Sequence, residues 1–353
     1  MDALTIERTL RLAPGPGNPR NSEGDFVQLA DGGWLFVYTH FSGGAGDHAA
    51  AHLVGRLSED DGVTWSAEDH LVLANEAAMN VMSVSLLRLA DGRIALFYLR
   101  KESETDCRPY VRFSADEARS WSVPVQIVPD VEADYYVVNN DRVVQLAGGR
   151  LVVPAARHRR CLDVPTFSVY GEALCLVSDD GGATWRHGRA AAVEARADGV
   201  PVMVQEPGVV ALRDGRLMMF CRTDAGSQYL AFSADEGDSW SPLRPSRIIS
   251  PRSPASIKRI PSTDDLLLVW NNHAGIPDEP TGKRTPLTLA ISEDEGEHWG
   301  RYRNLEEDPN GWYCYTAMAF TDDHVLLAYC AGDRRENNGL AMLQVTRVPI
   351  EWL

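Results

Sequence analysis

The chain reads as short apolar runs separated by tight polar turns, and the runs pair off. The segments "VQLADGGWLFVYT", "LRLADGRIALFYL", "VQLAGGRLVVPAA", "VALRDGRLMMFCR", "KRIPSTDDLLLVWN" and "MAFTDDHVLLAYC" each place strand-forming residues on both sides of a turn. Gly, Asp or Ser/Thr between two runs rich in Val, Leu and aromatic residues predicts a β-hairpin. Six such hairpins follow one another along the sequence.

A second pattern runs between them. "SEDDGVTWS", "SADEARSWS", "SDDGGATWR", "SADEGDSWS" and "SEDEGEHWG" begin at Ser58, Ser114, Ser178, Ser233 and Ser292, at intervals of 55 to 64 residues. Their consensus, S-x-D-x-G-x-[ST]-W, is broken only by Ala118 and His298. The Asp can accept backbone N–H bonds across the turn, the Gly supplies a positive φ, and the Trp caps the hairpin with a large apolar face. These residues are therefore assigned to folding and not to chemistry.

Each unit of about 55 to 60 residues thus holds one hairpin and, except in the last, a second hairpin closed by the Ser-Asp-Trp turn. Four strands per unit and six units predict an all-β, six-bladed β-propeller of antiparallel strands. The missing sixth turn predicts a ring closed by pairing the N-terminal strand with the last blade, and "ALTIERTLRL" and "LQVTRVPIEWL" suit that closure. A β-solenoid or a pair of sandwiches fits the four-strand period less well. No linker or shift in composition divides the chain, so residues 1–353 are read as one domain.

Composition narrows the function classes. Hydrophobic residues make up 44% and charged residues 24%, the profile of a globular protein. No apolar run approaches the roughly 18 to 20 residues of a spanning helix, and "MDALTIERTLRLAPGPGNPR" has no secretion-signal pattern, so a cytoplasmic location is expected. A formal net charge of −16 argues against nucleic-acid and membrane partners, which need a basic face. The six cysteines lack C-x-x-C spacing and are expected to be reduced and buried. No metal-ligand spacing or phosphate-cradling loop occurs, so neither metal nor cofactor is expected. Oligomeric state is left open.

In a propeller both turn types would lie at one end. The other end would gather the starts of the first strands and the ends of the second strands, and a pocket is expected there. Arginines from at least four units reach that end of an acidic protein. Such a cluster suits a bidentate anion, a carboxylate or a sulfate.

With its five Ser-Asp-Trp turns and this mouth, the whole chain resembles the sialidase (neuraminidase) superfamily, whose Asp-box repeats match the five turns. The resemblance implies an exo-glycosidase acting on a terminal acidic sugar. It implies three arginines around the substrate carboxylate: Arg20 by position, although the family's R-I-P motif is replaced by "PRNSEG", Arg222 in "CRTDAG", and Arg284 in "KRTPLTLAISEDEGEHW". The nucleophile it implies is Tyr315 in "WYCYTAMAF", with Tyr313 as fallback because residues two apart on a strand share a face. Glu206 in "VQEPGVV" would activate the tyrosine. Asp47 in "GAGDHAAAH" would be the acid/base, with His48 as competitor.

A neutral tyrosine suits this chemistry because a carboxylate nucleophile would be repelled by a carboxylated anomeric centre. Asn80, Asn139 and Asn140 are read as groups that bind sugar hydroxyls or cap loops. The altered R-I-P motif leaves two rival readings: a glycosidase or lyase acting on a uronic acid or deoxy sugar, and a non-catalytic propeller that binds a protein or glycan.

Overall fold

The computed structural model describes residues 5–161, 166–196, 199–276 and 283–353, and within them the protein is all-β. The hairpin turns explain the strands' register. In the first, Leu29 N–H donates to Gly33 O at 2.8 Å and Gly32 N–H to Leu29 O at 3.0 Å, with Gly32 at φ +92°. Leu89, Leu146 and Leu212 close the same turn in the next three units. In the fifth the turn is one residue longer: Ile260 N–H donates to Asp265 O at 2.8 Å and Asp264 N–H to Ile260 O at 2.9 Å, with Asp264 at φ +63° in the glycine's place.

The first unit is a four-stranded antiparallel sheet of Arg20–Gln28, Trp34–Phe41, Ala51–Ser58 and His70–Leu73. The fourth and fifth units are built alike, beginning with Val204–Ala211 and Ser256–Arg259. The last contains Gly311–Phe320, His324–Asp333 and Leu343–Pro349, and its outer strand is Glu7–Leu12, which pairs antiparallel with Leu343–Pro349. The second and third units do not stay separate. Tyr135–Val137 pairs with Leu151–His158 and also bridges in parallel to the second unit, Tyr135 opposite Cys107, which fuses the two into one nine-stranded sheet.

The Ser-Asp-Trp turns share one hydrogen-bond pattern. Ser58 Oγ accepts from Gly62 N–H at 2.9 Å, and Asp60 accepts from Thr64 N–H at 2.8 Å and from the Thr64 hydroxyl at 2.6 Å. In the fifth turn His298 replaces the hydroxyl residue, and its Nδ1 lies 2.7 Å from Asp294. Each tryptophan packs on the seam with the preceding unit. Trp121 joins the core between the first and second units, Trp185 that between the second and third, Trp240 the next and Trp299 the next. Trp65 packs between the first and last units. The seam between the fifth and sixth has no such turn, and Trp352, from the short helix Ile350–Trp352, packs there instead.

All six cysteines are free. Five are buried, but Cys161 is exposed, contrary to expectation, because it lies outside the strands.

Candidate active site

Four of the inner strands carry the same irregularity near their starts. Their ladders shift register between Ser22 and Asp25, Met82 and Ser85, Gln205 and Gly208, and Cys314 and Ala317. Within these bulges Glu23, Ser83, Glu206 and Tyr315 have φ between +49° and +59°. Left-handed conformations are unfavourable for side chains of this size, and such strain gathers where a side chain must be aimed. All four line one cavity of about 310 Å³. Its wall continues with Asp47, Lys101, Arg222 and Arg284, and with an apolar side that includes Tyr135, Tyr136 and Phe167.

The Tyr315 hydroxyl donates to Glu206 Oε1 at 3.0 Å, and Arg222 Nη1 donates to the same oxygen at 2.6 Å. The Arg284 guanidinium lies 5.3 Å from the centre of the Tyr315 ring and 5.1 Å from that of Trp312. Asn140 Nδ2 fixes the bulge by donating to Tyr315 O at 3.1 Å and Gly24 O at 2.8 Å, while Ser256 Oγ donates to Thr316 O at 2.6 Å. Burial first, and then the Glu206 charge, pushes the Tyr315 hydroxyl well above the ordinary tyrosine range. Burial would also raise Glu206, but Arg222 and Arg284 outweigh it and hold the carboxyl below its usual range. The resting pair is therefore a neutral phenol hydrogen-bonded to a carboxylate. An anion bound by Arg222 and Arg284 would draw off part of their field and make Glu206 the stronger base.

Glu206 Oε2 and Arg284 Nη1 are buried and have no hydrogen-bond partner within the described residues. Orphaned buried groups of both signs in one cavity are what a polar ligand would satisfy.

Arg20 is held differently. It is 1% exposed, its Nη1 donates to Asp47 Oδ1 at 2.5 Å and its Nη2 to Ser22 Oγ at 3.2 Å, and Phe41 covers its guanidinium at 4.4 Å. It does not itself line the cavity; Asp47 and Glu23 stand in front of it. The Asp47 side chain is 58% exposed. Crowding by its surroundings would raise its carboxyl, but Arg20 outweighs this and holds it below the usual range. The backbone carbonyl of Asp47 accepts from Lys101 Nζ at 2.6 Å and Asn80 Nδ2 at 3.0 Å.

The structure thus brings Asp47, Glu206, Tyr315, Arg222, Arg284 and Asn139 to one cavity, with Arg20 behind it. Asn80 and Asn140 hold backbone carbonyls and do not line the cavity, and His48 is exposed outside it. Tyr313 does not share the face of Tyr315. The bulge after Cys314 breaks the strand's alternation, and Tyr313 packs in the apolar core between the fifth and sixth units, 6.4 Å from Tyr329. Lys101 and Glu23 also line the wall and were assigned no role from the sequence. His158, Met82 and Phe167, also in the wall, were not singled out, because single residues inside apolar runs look like core.

Comparison with known proteins gives concordant results. The BNR repeat-like domain family matches residues 74–327. A curated relative, a sialidase of Micromonospora viridifaciens, is 26% identical across 97% of this chain, which spans 55% of that relative's length. Among solved structures, a Dyadobacter fermentans protein of unknown function superposes with a TM-score of 0.76 at 17% identity, covering 98% of this chain and 99% of its own. The NanB sialidase of Streptococcus pneumoniae gives 0.74 at 14% identity, with 99% and 71% covered. Both superpositions speak to the fold, which resembles that of sialidase propellers. The chain belongs to the BNR repeat-like domain family, within the sialidase superfamily.

Proposed function

We propose that the protein is a sialidase-type exo-glycosidase that hydrolyses a terminal acidic sugar, and that its six units close into one six-bladed propeller. The pairing of Glu7–Leu12 with Leu343–Pro349 and the core shared by the first and sixth units support the ring. The observation that carries the activity is the Tyr315–Glu206–Arg222 chain with Arg284 against the same tyrosine.

In this reading Arg222 and Arg284 take the substrate's carboxylate. Tyr315 Oη attacks the anomeric carbon as its proton passes to Glu206 Oε1, and the bond to the leaving oxygen breaks. Asp47 supplies the proton that the leaving oxygen needs; its exposed carboxyl takes that proton from solvent, and the substrate's negative charge in the cavity favours the protonated form. In the second half Asp47 takes a proton from water, the hydroxide oxygen bonds to the anomeric carbon, and Tyr315 leaves and recovers its proton from Glu206.

The position of Arg20 behind Asp47 and Glu23 favours one further reading, the same mouth acting on a uronic acid or deoxy sugar. The test is hydrolysis of 4-methylumbelliferyl glycosides of N-acetylneuraminic acid, uronic acids and deoxy sugars by the wild type, Tyr315→Phe and Glu206→Gln. Turnover of the sialoside that both substitutions abolish supports the first reading. Turnover of a uronide or deoxy glycoside alone moves the assignment to the second, and full activity in both variants refutes each.

A further inference from the structure

Glu23 has no part in the chemistry above, yet the fold presents it as it presents Glu206 and Tyr315. It sits in a register shift with φ +55°, it is 5% exposed, and its neighbour Ser83 occupies the equivalent bulge of the next unit at φ +59°. Both line the cavity. Ser83 Oγ donates to Glu23 Oε2 at 3.0 Å. The other oxygen, Oε1, accepts no hydrogen bond among the described residues; Arg20 Nη2 stands 3.6 Å from it and spends its bond on Ser22.

Glu23 is an ion-pair partner of Arg20, with Nη2 3.6 Å from Oε1, beside the closer and more exposed Asp47 at 2.5 Å. That ion pair needs neither a bulge nor an opening to the cavity, so it does not account for the placement of Glu23. Two adjacent strands depart from regular geometry to present one carboxyl with unused acceptor capacity to a cavity. That is the construction of a subsite.

We propose that Glu23, oriented by Ser83, is a specificity-determining residue that accepts a hydrogen bond from a hydroxyl of the sugar and disfavours substrates in which that hydroxyl is missing or capped. The inference rests on the glycosidase reading. Because a hydroxyl bonded in this way is held in ground state and transition state alike, its loss should appear in KM more than in kcat.

The experiment compares wild type, E23Q and S83A on the 4-methylumbelliferyl glycoside of N-acetylneuraminic acid and on analogues in which each hydroxyl in turn is replaced by hydrogen or by O-methyl. Thermal denaturation of each variant confirms folding, and S83A serves as the second probe because it leaves the charge at Glu23 in place. On wild type, one deoxy analogue and its O-methyl partner should lose about tenfold in kcat/KM, the scale of one hydrogen bond to a charged group. E23Q should raise KM about tenfold for the parent with kcat within about twofold, and should lose little more on that one analogue. S83A should move the same ratio in the same direction by less. If wild type acts on the parent but both folded variants keep its preference among the analogues, this proposal falls and the glycosidase reading stands. If wild type neither cleaves nor binds the parent, this proposal falls together with the sialidase-type reading.

Discussion

The Tyr315 hydroxyl and the Glu206 carboxylate meet at 3.0 Å although they lie on inner strands of different units and 109 residues apart. Each side chain arrives from a bulge with positive φ, and each is buried. Charge at Glu206 is balanced by Arg222 and Arg284, so the tyrosine is the one member of the group that is neutral at rest.

Tyr315→Phe and Glu206→Gln should therefore differ in stability while sharing a loss of activity. The first removes one hydrogen bond, about 1 kcal/mol, and leaves every charge paired. The second leaves Arg222 and Arg284 buried without their carboxylate, at a cost of about 3 kcal/mol. Both should lower kcat by about 10³-fold, on the scale of lost acid–base help. Urea denaturation measured beside turnover checks the pair of outcomes.

Arg20 holds the Asp47 carboxyl down against the effect of its surroundings. Arg20→Met removes that hold, so Asp47 should keep its proton to higher pH. Asp47 must be protonated in the first half-reaction, so the basic limb of the pH profile of kcat/KM should move upward in the variant. A limb that stays in place would show that Asp47 does not govern it.

The Ser-Asp-Trp turns make an acid-sensitive contribution to stability. Hydrogen bonds from the Thr184 hydroxyl, first, and its backbone N–H hold the Asp180 carboxyl down at about 2, against an ordinary value of 3.8. A carboxyl lowered on folding stabilises the protein above its unfolded value and loses that contribution as pH falls towards the folded one. The difference in urea midpoint between wild type and Asp180→Asn should be constant above about pH 5 and shrink below about pH 4. Midpoints measured from pH 7 down to pH 3 test this.

Gly182 tests the turn's steric requirement. It adopts φ +92°, and a Cβ there would stand 2.5 Å from Phe113 Cζ. Gly182→Ala should cost about 2 kcal/mol or more from backbone strain and overpacking together. A thermal midpoint unchanged from wild type would contradict it.

The sequence exposed those features that depend on periodicity. Hairpins at Leu29, Leu89 and Leu212 and the turns at Ser58 to Ser292 are repeats, and repeats can be counted. Arg222, Arg284, Glu206 and Tyr315 were implied by the resemblance to the sialidase superfamily, which those turns made recognisable. The bulges were hidden, because a single extra residue in a strand leaves alternation intact on either side; this is why Tyr313 read as an equivalent of Tyr315. Arg20 read as an open arginine because its partner, Asp47, is 27 residues away on a loop whose path no local pattern dictates. Asn80 and Asn140 were ambiguous for a related reason: an amide suits a backbone carbonyl and a sugar hydroxyl equally well.

The sheet that bears Tyr315 is completed by residues from both extremes of the chain, with Glu7 and Arg347 paired across 340 positions. A contact of that sequence separation forms late, since the loop it closes spans nearly everything else. The strand carrying the tyrosine would then be among the last parts to become ordered during folding, and an incompletely folded chain would not present the nucleophile. Pulsed hydrogen exchange during refolding should find protection of residues 313–318 rising with that of 7–12, after the central units are already protected.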